Sequence, residues 1–255
     1  MKPFYSLNFN ARQCNMKVSV NGIPLLTMDV EGQCSSSYPF NNLILESGWA
    51  TIQYEARPLA GEMQLRKEAY LNCLVELFDM ESPFDPVATL ASYETPPQNE
   101  AILPYLIHEE AFQVNVPYSL KGWKQSTKLD HLDDKLRPMV FMKYNSIIGM
   151  MRNRNFTAYE NAFREREDIV ATCFYLSEAE KQGRMKEIEN DITSSEIIPL
   201  SSTDRVELAA DGHLVRLVKT DGESALRIKN EEAGEETMIE LWLHMKPGST
   251  ELTII

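Results

Sequence analysis

Four histidines, four cysteines and 38 acidic side chains are the groups from which this 255-residue chain could assemble a reactive centre. The histidines, His108, His131, His213 and His244, follow no metal-ligand spacing. His108-Glu109-Glu110-Ala111-Phe112 begins like a zincin helix, but gripping zinc from one helix face needs a second histidine four residues on, and position 112 is Phe. No metal is therefore expected. The glycine-rich phosphate loops GxxxxGK[ST] and GxGxxG, the GxSxG nucleophile elbow and the EF-hand calcium loop are also missing from the sequence. No cofactor is expected, and no catalytic residue is assigned. Asp130-His131-Leu132-Asp133-Asp134 carries donors for a divalent ion, yet acids at a helix start are explained by the helix dipole alone.

Cys14, Cys34, Cys73 and Cys173 lack CxxC spacing, and a chain of this length folds without staples, so free buried thiols are expected. Only Cys173 is placed on a helix, well inside it. Asn155-Phe156-Thr157 matches the glycosylation sequon, but no secretory signal accompanies it, and it is read as coincidence.

The charge balance excludes more. With 25 Lys and Arg the formal net charge is −13, and no basic run exceeds a pair. Nucleic acid is not an expected partner, because phosphate binding draws its affinity from clustered cations that release counterions. No stretch approaches 18 apolar residues, so no membrane span is expected, and the start Met1-Lys2-Pro3-Phe4-Tyr5-Ser6 has no apolar targeting region. The expectation is an untargeted, cytoplasmic protein. Residues 1–118 hold 6 basic and 14 acidic side chains, a net of −8, while residues 119–255 hold 19 and 24, a net of −5. That contrast suggests two domains, 1–118 and 126–255, joined by a linker at 119–125.

In the first, Asn21-Gly22 is a type I′ hairpin signal. With these two residues as the loop, Val20 faces Ile23, Val18 faces Leu25 and Met16 faces Thr27, leaving Lys17 and Ser19 on the other side. Residues 49–57 read as a strand with Ile52 and Tyr54 on alternate faces, and 70–80 as another. Residues 40–45 fit one helical turn. Short runs at 102–107 and 112–116 follow, the first demoted to an edge by Pro104. Six to eight short strands at this spacing predict an all-β antiparallel sandwich.

In the second, Ser126-Thr127 is a cap for a helix from Lys128, and Pro138 suits the first turn of a helix running to Met151. Phe156, Tyr159, Phe163, Val170 and Phe174 make an amphipathic stripe, with Arg164, Glu165, Glu167 and Asp168 mostly outward. Gly183 is expected to break the chain before a short helix through Ile192. Met139, Met142, Met150 and Met151 are read as core filler.

The period then changes to two. Turns at Asp211-Gly212 and Asp221-Gly222 pair Leu208 with Val215, Val206 with Leu217, Leu217 with Leu226 and Val215 with Ile228, all on one face. Ile239, Leu241 and Leu243 continue it, and Pro247-Gly248 sets Leu243 beside Leu252 and Leu241 beside Ile254. The result is a five-stranded antiparallel meander covered by the aromatic stripe, an α+β domain. Its helices-then-meander order resembles cystatin-like and NTF2-like folds; the likeness is one of element order. Such folds enclose a conical pocket or dimerise through the open sheet face.

The meander's outer face collects Glu207, Arg216, Arg227, Glu240, Trp242, His244 and Glu251, with Glu207 opposite Arg216 and His244 opposite Glu251. An exposed Trp242 amid Arg216, Arg227 and His244 is an interface anchor, and a homodimer through this face is one expected partner arrangement. Glu231, Glu232, Glu235 and Glu236 are read as a solvated turn. With no reaction named by any motif, the expected function is non-enzymatic: an acidic protein acting through protein–protein contacts, in one form an inhibitor or immunity-type protein for a basic enzyme. The alternative is a small-molecule-binding protein or enzyme with a pocket between the C-terminal helices and the meander, lined by Tyr144, Tyr159 and Tyr175. A structural subunit is the third.

Overall fold

The computed structural model describes residues 1–82, 85–96 and 103–255. Among the described residues the chain is mostly β with three long helices, and it divides into two compact units, Met1–Leu120 and Lys121–Ile255. Among the described residues, no helix is long and apolar enough to cross a membrane.

The described residues of the first unit form six strands: β1 (Pro3–Val20), β2 (Ile23–Pro39), β3 (Gly48–Arg57), β4 (Tyr70–Asp79), β5 (Ala88–Glu94) and β6 (Leu106–Val114). They are not short strands in two sheets but one antiparallel sheet, because β1 is long enough to serve two partners on one edge. Its residues 3–12 pair with β4 and its residues 15–20 with β3, while β2 runs along the other edge. The sheet curls until β5 and β6 lie side by side, and ring stacking closes the seam. Tyr93 of β5 stacks on His108 of β6 at 4.9 Å and on Tyr54 of β3 at 5.2 Å.

Tyr5, Leu7, Phe9 and Ala11 of β1 face the core, and then Cys14, Met16, Val18 and Val20 do so from the opposite parity. A register shift between Arg12 and Cys14, with Gln13 at φ 48°, accomplishes the change. A β-bulge inserts one residue and so resets the facing of everything after it. The Asn21-Gly22 hairpin forms as predicted at Val20 and Ile23, but the next pairs slip by one, to Val18 with Leu26 and Met16 with Met28. Pro24 accounts for the slip, since it has no N–H to give to the ladder. Ile52 and Tyr54 share the buried face with Ala50 and Ala56, as residues two apart on a strand must. The end of the first run, Leu106 and Ile107, and the start of the second, Phe112 to Val114, belong to the single strand β6, residues 103–105 and 115–116 lie outside it, and Ile102 lies outside the described residues. A single 3-10 turn at Asn41–Leu43 fills the predicted helical turn.

The second unit begins without a cap at Ser126. A 3-10 turn at Gly122–Gln125 precedes it, Ser126 itself is extended, Thr127 and Leu129 donate to the Met245 and Gly212 carbonyls, and a second 3-10 stretch starts at Asp130. The helices are α1 (Leu136–Arg152), α2 (Phe156–Cys173) and α3 (Glu178–Ser194). The Asn155 side chain caps α2 by accepting from the Ala158 N–H at 3.2 Å, and Cys173 is its last residue rather than an internal one. Gly183 breaks nothing. A capping box formed by Ser177 and Glu180 starts α3 upstream of it, and one interior glycine costs a helix only about 1 kcal/mol. Glu167 is buried instead of outward, held at 2.7 Å by Arg166 and at 2.9 Å by Arg184 of α3.

The strands β7 (Glu196–Ile197), β8 (Arg205–Ala209), β9 (Leu214–Val218), β10 (Arg227–Asn230), β11 (Glu235–Met238), β12 (Leu243–Met245) and β13 (Leu252–Ile254) form two sheets, not one meander. Their orders are β13-β12-β9-β8 and β11-β10-β7. The pairs Leu208 with Val215 and Val206 with Leu217 form as predicted, although Leu208 itself stands exposed. Val215 then pairs with Leu243 instead of Ile228. The final hairpin matches Leu243 with Ile254 and Met245 with Leu252, two residues from the predicted register, which preserves the facing.

A helix residue sits at the fork where the sheets part. The buried Tyr144 hydroxyl of α1 donates to the Leu241 carbonyl at 2.7 Å and accepts the Leu217 N–H at 2.9 Å. It thus takes the ladder position next to the Val215–Leu243 pair. Val140, Tyr144, Ile147, Ile148 and Met151 of α1, with Tyr159 and Phe163 of α2, build the core against both sheets. Of the four methionines, Met151 is fully in that core, Met139 and Met150 border it, and Met142 is exposed.

Candidate functional site

The sheet face predicted as an open binding surface is largely an internal one. Arg216 and His244 are 3% and 2% exposed, and Trp242 is half-buried. Strand alternation does place these three side chains on one face, since Val215 pairs with Leu243 and their neighbours point the other way.

Arg216 is saturated. Its Nε and Nη2 converge on Oε2 of Glu207 at 2.8 and 2.7 Å, its Nη1 meets Glu240 at 2.7 Å, and its guanidinium lies 4.7 Å over the Trp242 ring. Burial opposes the charge, but the carboxylates of Glu240 and Glu207 outweigh it and raise the pKa further. An arginine fixed by two carboxylates and a ring is an architectural charge pair with nothing left to offer a partner.

Arg227 stands in the other sheet, apart from this cluster. It donates to the Ser224 carbonyl at 2.9 Å and to Glu236 at 2.8 Å, with Asp221 and Glu223 at 3.2 and 3.3 Å. The acidic turn is therefore partly tied down: Glu236 serves Arg227, and Glu231 pairs with Lys229.

His244 joins a row that sequence gave no means of finding. Its Nδ1 lies 2.7 Å from the Ser126 hydroxyl, 118 positions away, and its Nε2 lies 3.8 Å from Glu165 of α2. Lys246 pairs with the same Glu165 oxygen at 2.6 Å. The Ser126 carbonyl accepts from His213 Nδ1 at 2.7 Å, which puts the His213 proton on that nitrogen. Across the ladder His244 faces Thr253, not Glu251. Two buried side-chain atoms here have no hydrogen-bond partner, His244 Nε2 and Thr253 Oγ1. Burial lowers the His244 pKa; Glu165 pulls it up, and Lys246 pushes it down again. Hydroxyl, imidazole and carboxylate in line could polarise a nucleophile. Here Ser126 is itself buried, so the row clasps the segment leading into α1 onto β12.

The tyrosines expected to line a pocket are divided. Tyr144 and Tyr159 are packed in the core, where burial raises both hydroxyl pKa values, while Tyr175 is half-buried at φ 57°. Among the described residues, no three His, Cys, Asp or Glu side chains group as metal ligands. All four cysteines are free, three of them buried; burial pushes the Cys14 thiol to about 11 and the Cys73 thiol to about 12.

The exposed tryptophan lies elsewhere, in the first unit. Trp49 opens β3 and is 70% exposed, opposite Gln113 of β6. Its position just after Ser47-Gly48, at the start of a strand and outside the buried alternation of Ala50, Ile52 and Tyr54, was the sequence signal for it. Compared with known protein families, with curated proteins and with solved structures, the chain matches none.

Proposed function

We propose that this chain is a non-enzymatic binding protein that captures a basic protein partner, in its most concrete form as an inhibitor or immunity-type protein. The observation that supports this most is how its charges are used. In the second unit the arginines Arg166, Arg184, Arg216 and Arg227 are engaged by carboxylates of the same unit. In the first, 14 acids stand against 6 bases, and Glu31, Glu68, Glu94 and Glu109 are exposed. The field presented to solvent is therefore negative, which raises the capture rate of a cationic partner and repels a second copy at −13.

The cystatin-like or NTF2-like reading of the second unit rests on its helices-then-strands order alone, since its strands divide between two sheets, and the open-face role moves off Arg216 and His244. Free thiols fit a reducing, cytoplasmic setting. The test is capture of partners by the tagged full chain from its source lysate at low and moderate salt, followed by association kinetics of the purified pair. A stoichiometric basic partner is expected, with an on-rate falling about tenfold over that salt range. An acidic partner, or salt-independent association, would overturn the reading.

A further inference from the structure

Resting on that reading, we infer that the outer face of β3 and β6 is where the partner docks, and that the partner presents an arginine-bearing segment to Trp49 and Glu109. The ladder fixes which side chains share this face. Trp49 lies opposite Gln113, Thr51 opposite Ala111, Gln53 opposite Glu109 and Glu55 opposite Ile107. The inward row of β3, Ala50, Ile52, Tyr54 and Ala56, is buried in the core; on the alternate row Trp49 and Thr51 are exposed, Gln53 is half-buried, and Glu55 is buried and paired with Arg57. On β6 every member of that row, Ile107, Glu109, Ala111 and Gln113, is exposed. Trp49 at one end and Ile107, 52% exposed, at the other are separated by six residues of strand, about 20 Å.

Large exposed apolar groups on an otherwise polar strand pair mark a recognition face when something charged lies between them. Glu109 is that group, its carboxylate held in place by Gln53 Nε2 at 3.2 Å. The occupant follows from charge. A second copy would bring another −13 to a unit already at −8, whereas an extended segment of alternating arginines can set one guanidinium on the Trp49 indole and another, four residues along, against the Glu109 carboxylate. Within this chain Arg216 shows both modes of arginine recognition, stacked on Trp242 and paired with Glu207 and Glu240.

The test uses the full chain and a fluorescently labelled heptapeptide of alternating arginine and valine, read by anisotropy at low salt. Trp49→Ala should weaken binding about tenfold, and Glu109→Gln several-fold. Thr51→Lys, which adds a cation to the same face without touching the core, should weaken it as well. Glu187→Gln, the same charge change on the exposed side of α3, should leave it unaltered. Equal losses for Glu109→Gln and Glu187→Gln with no effect of Trp49→Ala would overturn the assignment of this face while leaving the basic-partner reading standing. No binding of the peptide by the wild-type chain would overturn both. A dimer in sedimentation that dissolves on Trp49→Ala would reassign the face to self-association.

Discussion

The two units use charge in opposite ways. In the first, an apolar core and a stacked aromatic seam hold one curled sheet, and its few cations leave a surplus of acids at the surface. In the second, ion pairs are architectural: Glu167 joins two helices, and Arg216 ties β8 to the residues before β12. Charge in one place therefore bears on association and in the other on stability, and substitutions should separate the two.

The largest effect should come from Arg216→Ala. Its loss empties a buried site and leaves the part-exposed carboxylates of Glu207 and Glu240 unpaired beside the half-buried Trp242 ring, and because solvent screens those carboxylates a cost of about 2–3 kcal/mol is expected. Denaturant titration read by hydrogen exchange should show lowered protection in β8, β9 and β12, with β1 unchanged. Equal loss in both units would dissolve the distinction between them.

Tyr144→Phe should come next, at about 2 kcal/mol, because it strands the Leu217 N–H and the Leu241 carbonyl in the core. The measurement is the urea midpoint. An unchanged midpoint would mean that β9 and the Leu241 segment can pair directly, and that the tyrosine is not what parts the sheets.

That fork also shows where the sequence stopped being legible. Hairpins whose turns and facing residues lie within a dozen positions were readable: Asn21-Gly22 gave its first pair, and Asp211-Gly212 gave Leu208 with Val215 and Val206 with Leu217. The β9–β10 pairing failed because a hydroxyl from α1, some 70 positions earlier, competes for the Leu217 N–H. Residues 3–15 of β1 went unread because their apolar period of two changes phase at Gln13, and the two halves cancel in a single alternation. Of the candidate site, the sheet face of Arg216, Trp242 and His244 was legible, but not its burial. Ser126 and Glu165 reach His244 from other elements, and local pattern carries no trace of such long-range contacts.

His244 supplies a pH test confined to the second unit. Its folded pKa lies below the ordinary 6.5, chiefly because it is buried. The unfolded chain then binds the proton more readily, so the stability this residue contributes is present above pH 6.5 and is lost as pH falls through the folded value. Facing it are Ser126, Glu165, Lys246 and Thr253, of which Glu165 opposes the loss and Lys246 adds to it. The urea midpoint should therefore drop between pH 7.5 and 5, with less slope in His244→Gln. A slope identical in the variant would assign the pH dependence to other groups.

The smallest effect on stability, and the sharpest contrast, lies between two tryptophans. Trp49→Ala removes a ring that is 70% exposed, and surface substitutions of this kind stay within about 0.5 kcal/mol. Trp242→Ala removes the half-buried ring beneath Arg216 and leaves that guanidinium with only its carboxylates, so a loss of about 1–2 kcal/mol is expected. Partner binding should move the opposite way, weakened by Trp49→Ala and retained by Trp242→Ala at temperatures where it is folded. Thermal midpoints and binding isotherms of the two variants, taken side by side, decide it. If Trp242→Ala abolished binding while still folded, the recognition surface would belong to the second unit, and the division of charge between architecture and association would fail.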